Sequence, residues 1–131
     1  MSDMGTFRTT VLIQNPLRRG ETMAMPDTLV DTGAELTWVP RELLESLGIR
    51  VEKHLGFRTA DGRIINRDIG YAIVHAGGTH TIDEVAFAEP GDLVLLGARS
   101  LEGMNLRVDS RNKQLLAAGP IDAASSSEVA L

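Results

Sequence analysis

The hexapeptide Leu29-Val30-Asp31-Thr32-Gly33-Ala34 constrains this chain more than any other stretch. Two aliphatic residues lead into a carboxylate, followed by a hydroxyl, a glycine and an alanine. That order suits a buried strand ending in a tight turn that presents one acid, with Gly where backbones must come close. The stretch is echoed at Leu93-Val94-Leu95-Leu96-Gly97-Ala98, where four of six residues are identical after a shift of 64 positions, about half of the 131-residue chain. Each copy runs into a helical segment. Each helix then leads to a similar strand, Gly48-Ile49-Arg50-Val51-Glu52 in one case and Asn105-Leu106-Arg107-Val108-Asp109 in the other. Coincidence between short aliphatic motifs is one reading of this echo. The other is an approximate internal duplication in which only the first copy kept its acid, Leu95 standing in the place of the carboxylate. On the second reading a single chain supplies one Asp, and chemistry that needs two acids requires two chains.

The rest of the composition narrows the class. A length of 131 residues gives one domain with a real core. Aromatics are few (three Phe, one Tyr and Trp38), so that core is built from Val, Leu, Ile and Ala. A net charge of −5 argues against a nucleic-acid footprint, and the one basic pair, Arg18-Arg19, reads as a solvated turn. No apolar run reaches the ~20 residues of a membrane span. The start, Met1-Ser2-Asp3-Met4-Gly5, lacks the basic and apolar stretches of a signal peptide, and the chain has no Cys. A cytoplasmic, stand-alone product is therefore expected, without disulfides or thiol catalysis. His54, His75 and His80 have no metal-ligand spacing, no Ser pairs with a His for a triad, and the glycines form no phosphate-binding fingerprint. Neither a metal nor a cofactor is expected.

Read in order, the pattern is mostly strand and turn. Residues 7–14 form a strand, Asn15-Pro16 and Arg19-Gly20 mark a turn, and a second strand covers about 21–25. The chain becomes extended again at 28–31 and at 36–39. Pro40 at the start and Gly48 past the end predict a short helix whose apolar face is Leu43, Leu44 and Leu47. Asp61-Gly62 predicts a two-residue, positive-φ turn joining 55–60 to 63–69, and Gly77-Gly78 a second hairpin joining 71–76 to 79–87. In the last arm Ile82, Val85 and Phe87 are the expected inward positions. Leu93–Leu96 is apolar on both faces, which suits a central strand. A helical turn at 98–103 and a hairpin of 104–109 with 113–117 complete the domain. Residues 119–131, small and unpatterned, are expected to be a disordered tail.

These landmarks resemble the retropepsin-like aspartic proteases, and more closely the small bacterial single-domain members of that clan. The matching residues are Leu29-Val30-Asp31-Thr32-Gly33-Ala34, the hairpin bearing Asp61-Gly62, and Leu95-Leu96-Gly97-Ala98-Arg99-Ser100-Leu101. The last is similar to the segment that precedes the C-terminal helix of retropepsins. The resemblance covers about residues 7–118, in the family's order. It implies an all-β, closed retropepsin-like barrel with one or two short helices, homodimeric. Two departures stand out. Thr59-Ala60-Asp61-Gly62-Arg63 lacks the glycine-rich flap tip of viral enzymes, and the helix at 41–47 is absent from them.

The activity implied is peptide-bond hydrolysis by a dyad of Asp31 residues, one from each subunit. Two carboxylates held that close share a proton, so one can act as base while the other acts as acid. By resemblance, Thr32 cross-bonds the two turns, Gly33, Ala34 and Glu35 contact the substrate backbone, and Ala60, Asp61 and Gly62 close over it. Thr37 is implied as a buried hydroxyl supporting the dyad, although its type fits a plain strand residue equally well. Trp38 reads as core or interface rather than pocket. The terminal strands 7–13 and 113–118 are candidates for the dimer interface and equally for core. The partners implied are a second copy of the chain and a peptide or protein substrate. The rival is a dimeric peptide-binding or scaffold module that kept the fold and lost turnover.

Overall fold

The computed structural model describes residues 7–124. It is mostly β with two short helices, in the order β1 (Phe7–Asn15), β2 (Arg18–Val30), β3 (Thr37–Pro40), α1 (Arg41–Ser46), β4 (Lys53–Arg58), β5 (Ile64–Ala76), β6 (Thr79–Ala88), β7 (Leu95–Leu96), α2 (Ala98–Gly103), β8 (Leu106–Asp109) and β9 (Gln114–Ala117). Seven strands form one sheet in the order β1-β2-β7-β3-β6-β5-β4, and β1 also pairs with β5. Strand pairing therefore runs from β1 through β2, β7, β3, β6 and β5 back to β1, with β4 outside that circuit. β8 and β9 form a separate hairpin. Among the described residues, no helix is long and apolar enough to cross a membrane.

The core follows from strand alternation. Val11 and Ile13 of β1, Val30 of β2, Val39 of β3, Val74 of β5, Val85 and Phe87 of β6 and Leu96 of β7 meet in one buried cluster with Leu44 of α1 and Leu47 just after it. Ile82, expected inward with Val85 and Phe87, is 55% exposed. Its parity explains this: residues an odd number apart on a strand face opposite ways. The Gly77-Gly78 turn has positive φ at both residues, as a type I′ hairpin requires. The other turn differs from expectation. Only Gly62 has positive φ, Gly62 N–H donates to Thr59 O at 2.9 Å, and Thr59 N–H donates to Arg63 O at 2.8 Å, so residues 59–63 all lie in the loop.

Two expected breaks are absent. β2 is one strand from Arg18 to Val30, and it begins at once after a tight turn at Pro16-Leu17. Pro26-Asp27, in the gap between the expected strands 21–25 and 28–31, is instead a bulge. Opposite Thr9 and Val11 stand Thr28 and Met25, one residue too many, and Asp27 takes φ 56° to absorb it. Pro26 fits there because it has no N–H to lose from the ladder, and Thr28 Oγ1 closes the bulge by donating to Met25 O at 2.8 Å. β5 is likewise continuous, from Ile64 to Ala76. Gly70, which reads as an interruption, lies where a Cβ would come within 2.8 Å of Arg50 O, so its lack of a side chain lets the strand pass beneath that segment.

The helices end alike. Leu47 and Met104 are both C-caps near φ −85°, and the next residues, Gly48 (φ 75°) and Asn105 (φ 55°), are both left-handed. Pro40, expected as the first helical residue, is instead the N-cap, and α1 begins one position later at Arg41. Of the run Leu93–Leu96, only Leu95 and Leu96 are strand, held between β2 and β3; Leu93 is 65% exposed. Residues 119–124 carry no regular structure, yet Gly119 O accepts Asn105 Nδ2–H at 2.8 Å; the expected tail from 125 to 131 lies outside the described residues.

Ion pairs tie the β4–β5 hairpin to the body. Arg67 on β5 makes a bidentate pair with Asp92, at 2.7 and 2.8 Å. Arg41 at the start of α1 stacks over the Phe87 ring and pairs with both Asp68 and Glu89. Arg67 holds the Asp92 carboxyl below the usual range, and Arg41, then His54, does the same for Asp68. A carboxyl depressed in the fold stabilises it above the unfolded value, near 3.9, and that contribution is lost as pH falls through the folded value. Unfolding by urea should thus show falling stability below about pH 4. Asp92→Asn should cost about 2 kcal/mol at pH 7, since it leaves a mostly buried guanidinium short of its partner, and should flatten the acid decline. Equal urea midpoints for the wild type at pH 7 and pH 2.5 would contradict this account.

Candidate active site

Asp31 stands on the turn that follows β2. Beyond the bulge at Asp27, Leu29 and Val30 pair with Leu95 and Leu96 in parallel register. The two echoed motifs are therefore neighbours in space, offset by two residues: Leu29 pairs with Leu95 and Val30 with Leu96. Asp31 N–H donates to Leu96 O at 3.0 Å. Beyond the strand the turn closes on itself. Gly33 N–H donates to Asp31 Oδ1 at 2.9 Å and Ala34 N–H to Asp31 O at 3.2 Å. One carboxylate oxygen is thus engaged by the turn's own backbone.

The return path is fastened to α2. Ala98 N–H donates to Ala34 O at 2.8 Å and Arg99 N–H to Glu35 O at 2.9 Å. This lacing needs backbone against backbone, and Gly97 permits it: a Cβ there would lie 2.3 Å from Leu36 O. Thr37, fully buried, accepts the Gly97 N–H on Oγ1 at 3.0 Å and lies 2.7 Å from Ser100 Oγ. Ser100, also fully buried, donates to Asp83 Oδ2 at 2.9 Å. A second, solvent-facing chain runs alongside, from Glu35 to Arg99 (3.6 Å), from Arg99 to Glu84 (3.4 Å) and on to Lys53.

In front of the turn is a cleft of about 860 Å³. Asp31, Gly33, Ala34 and Glu35 form its base. Leu55, Phe57, Thr59 and Ala60 of the β4 arm, with Ile65 of β5, form one wall, and Leu93, Leu95 and Arg99 line it as well. Trp38 and Phe57 pack at 4.9 Å between ring centroids, tilted by 58°. Trp38, expected in core or interface, belongs to a small cluster with Leu36 and Ile69 and lines the cleft too.

Of the residues singled out from sequence, Asp31, Gly33, Ala34, Glu35 and Ala60 come together on this cleft. Thr32 is exposed on the turn. Thr37 lies behind it in the buried network. Asp61 and Gly62 sit at the hairpin tip, outside the cleft lining, where Asp61 pairs with Arg63 at 2.9 Å and accepts Thr59 Oγ1–H. Ser100 and Asp83 were not found from sequence. The available signal was a hydroxyl at Ser100, directly before the core residue Leu101. Among the described residues no cluster of three or more His, Asp or Glu could hold a metal ion.

A mostly β domain that brings the carboxylate of an Asp-Thr-Gly turn to a cleft falls in the acid-protease class. The sequence matches the family model described as gag-polyprotein putative aspartyl protease over residues 23–103. That span is more than half of the chain, and the chain belongs to this family of retropepsin-like aspartyl proteases. A search of curated proteins gave no match.

Proposed function

We propose that this protein is an aspartic endopeptidase, active as a homodimer, that hydrolyses peptide bonds with Asp31 of each chain as a shared dyad. The observation that carries this reading is the base of the cleft, where a carboxylate stands at Asp31 and a leucine occupies position 95 on the paired strand. Two such turns brought together supply the second acid. The circuit of pairing through β1 and β5 supports a closed barrel, and the outer edge of β9, unpaired among the described residues, is a candidate for the dimer contact.

In the mechanism proposed, the pair carries one proton. The ionised Asp31 removes a proton from a water molecule, and the water oxygen attacks the scissile carbonyl carbon. The protonated Asp31 of the partner subunit gives its proton to the carbonyl oxygen, forming a neutral gem-diol. Collapse of that intermediate, with a proton passed to the leaving nitrogen, breaks the C–N bond and restores the shared proton. Thr32 would bond across to the opposite turn, and Gly33, Ala34 and Glu35 would receive the substrate backbone. The hairpin tip at Ala60, Asp61 and Gly62 would close over it and exclude water.

Sedimentation of the purified protein beside a peptide-library digest across pH 4–7 tests this reading. A dimer with cleavage that follows a bell-shaped, acid-centred profile is expected, because both the doubly ionised and the doubly protonated pair are inactive. A rate that stays flat from neutral to alkaline pH would contradict the shared proton. A dimer that binds peptides without cutting them would favour a scaffold module.

A further inference from the structure

The buried hydrogen-bond chain behind Asp31 has only one consistent direction. A carboxylate accepts and cannot donate, so the proton between Ser100 Oγ and Asp83 Oδ2 belongs to Ser100. A serine hydroxyl has one proton. The 2.7 Å contact between Ser100 and Thr37 is therefore a bond donated by Thr37. Thr37 has then spent its own proton, and its lone pair accepts the Gly97 N–H. The relay runs Gly97 to Thr37 to Ser100 to Asp83, across the start of α2, β3, α2 again and β6. Its anionic end is fixed further, since Asp83 Oδ1 accepts Glu84 N–H at 2.7 Å. Thr37 and Ser100 are both 0% exposed, so water cannot stand in for a partner of either hydroxyl, whereas Asp83 is half-buried.

Gly97 is the hinge point of the site. On its N-terminal side Leu96 O receives the Asp31 N–H, and on its C-terminal side Ala98 and Arg99 hold the carbonyls of Ala34 and Glu35. Fixing the Gly97 amide thus fixes both flanks of the turn that carries the acid. We propose that Ser100 and Asp83 are positioning residues for Asp31, acting through Thr37 and Gly97. The proposal rests on the reading of Asp31 as a catalytic acid. Neither residue reaches the cleft; their contribution is to the aim of the carboxylate.

Three variants of the full chain test it: Ser100→Ala, Thr37→Val, which is close in shape but lacks the hydroxyl, and Thr37→Ser, which keeps it. Each is measured below its melting transition for kcat and KM on a peptide the wild type cleaves. Backbone amide exchange at Asp31, Gly97, Ala98 and Arg99 is followed by NMR. Ser100→Ala and Thr37→Val should lower kcat by about 10- to 100-fold, the scale of a small misplacement of a reacting group. KM should stay within about twofold, and a fourth protein that combines Ser100→Ala with Thr37→Val should lose little more than either change alone. Thr37→Ser should recover most of the rate. Exchange at Asp31 and Gly97 should quicken in the first two variants only.

Wild-type kcat in folded Ser100→Ala and Thr37→Val would overturn the proposal, as would equal losses in Thr37→Val and Thr37→Ser, which would point to packing volume. Where Ser100→Ala does not fold, the Thr37 pair decides. A wild type that cleaves no peptide would sink the protease reading, and exchange then judges the relay separately: faster exchange at Asp31 and Gly97 in the hydroxyl-free variants supports it, and unchanged exchange overturns it.

Discussion

Asp31→Asn should abolish peptide hydrolysis, by at least about 10³-fold, and leave the domain folded. The first half follows from the proposed chemistry. An amide can neither take a proton from water nor share one with a second acid, so the base of one chain and the acid of the other, each worth about 10²–10⁴-fold, are lost together. The second half follows from the turn. What the fold asks of the side chain is one acceptor for the Gly33 N–H, at 2.9 Å, and an Asn oxygen can supply it. The backbone bonds from Asp31 N–H to Leu96 O and from Ala34 N–H to Asp31 O are untouched. Thermal melting should therefore stay within about 1 kcal/mol of the wild type. Cleavage at the wild-type rate by a folded Asp31→Asn protein would remove the basis for the dyad.

Gly97→Ala should have the opposite profile, with a large loss of stability. The reason is contact and not torsion: Gly97 has an ordinary φ of −98°, open to any residue. An added Cβ would stand 2.3 Å from Leu36 O, 2.5 Å from Leu36 C and 3.1 Å from Ala34 O. All three are backbone atoms, which cannot rotate away as a side chain can. Relief would require prising α2 from the Asp31 turn, at the expense of the Ala98–Ala34 and Arg99–Glu35 bonds. A loss of about 3 kcal/mol or more is expected, at the upper end of overpacking costs. Gly62→Ala makes the useful comparison. There the added carbon meets nothing within 4 Å, but φ is 89°, so the cost is conformational and about 1 kcal/mol. Urea unfolding of both variants tests the contrast, and a Gly97→Ala protein as stable as Gly62→Ala would refute the close-approach account.

What could be read in the sequence was set by local chemistry. The Gly77-Gly78 hairpin, the α2 helix at Ala98–Gly103 and the Asp31 turn each depend on a few adjacent residues, and each lies where the pattern predicts. The misreadings concern residues whose meaning comes from distant neighbours. Gly70 falls in a gap between two expected strands until Arg50 is seen crossing above it, and Pro26-Asp27 falls in another until Thr28 and Met25 close a bulge. Ile82 shares its composition with its neighbours but not their parity. Thr37 was legible as a candidate and its partners were not, because Ser100 lies 63 residues away and nothing in the local pattern joins them. The echo between 29–34 and 93–98 spans both kinds. Its similarity is visible in the residues, whereas the side-by-side pairing of Leu29 with Leu95 appears only in the fold.

Leu95 has one more consequence, for control. A chain that carries a leucine there holds half of the proposed chemistry, so on that reading an isolated copy is inert however well it is folded. While dimers are scarce, their number rises with the square of the amount of protein, and a doubling of synthesis gives about four times the turnover by mass action. The level of expression would then itself be the switch, with a threshold set by the strength of the contact between the two copies.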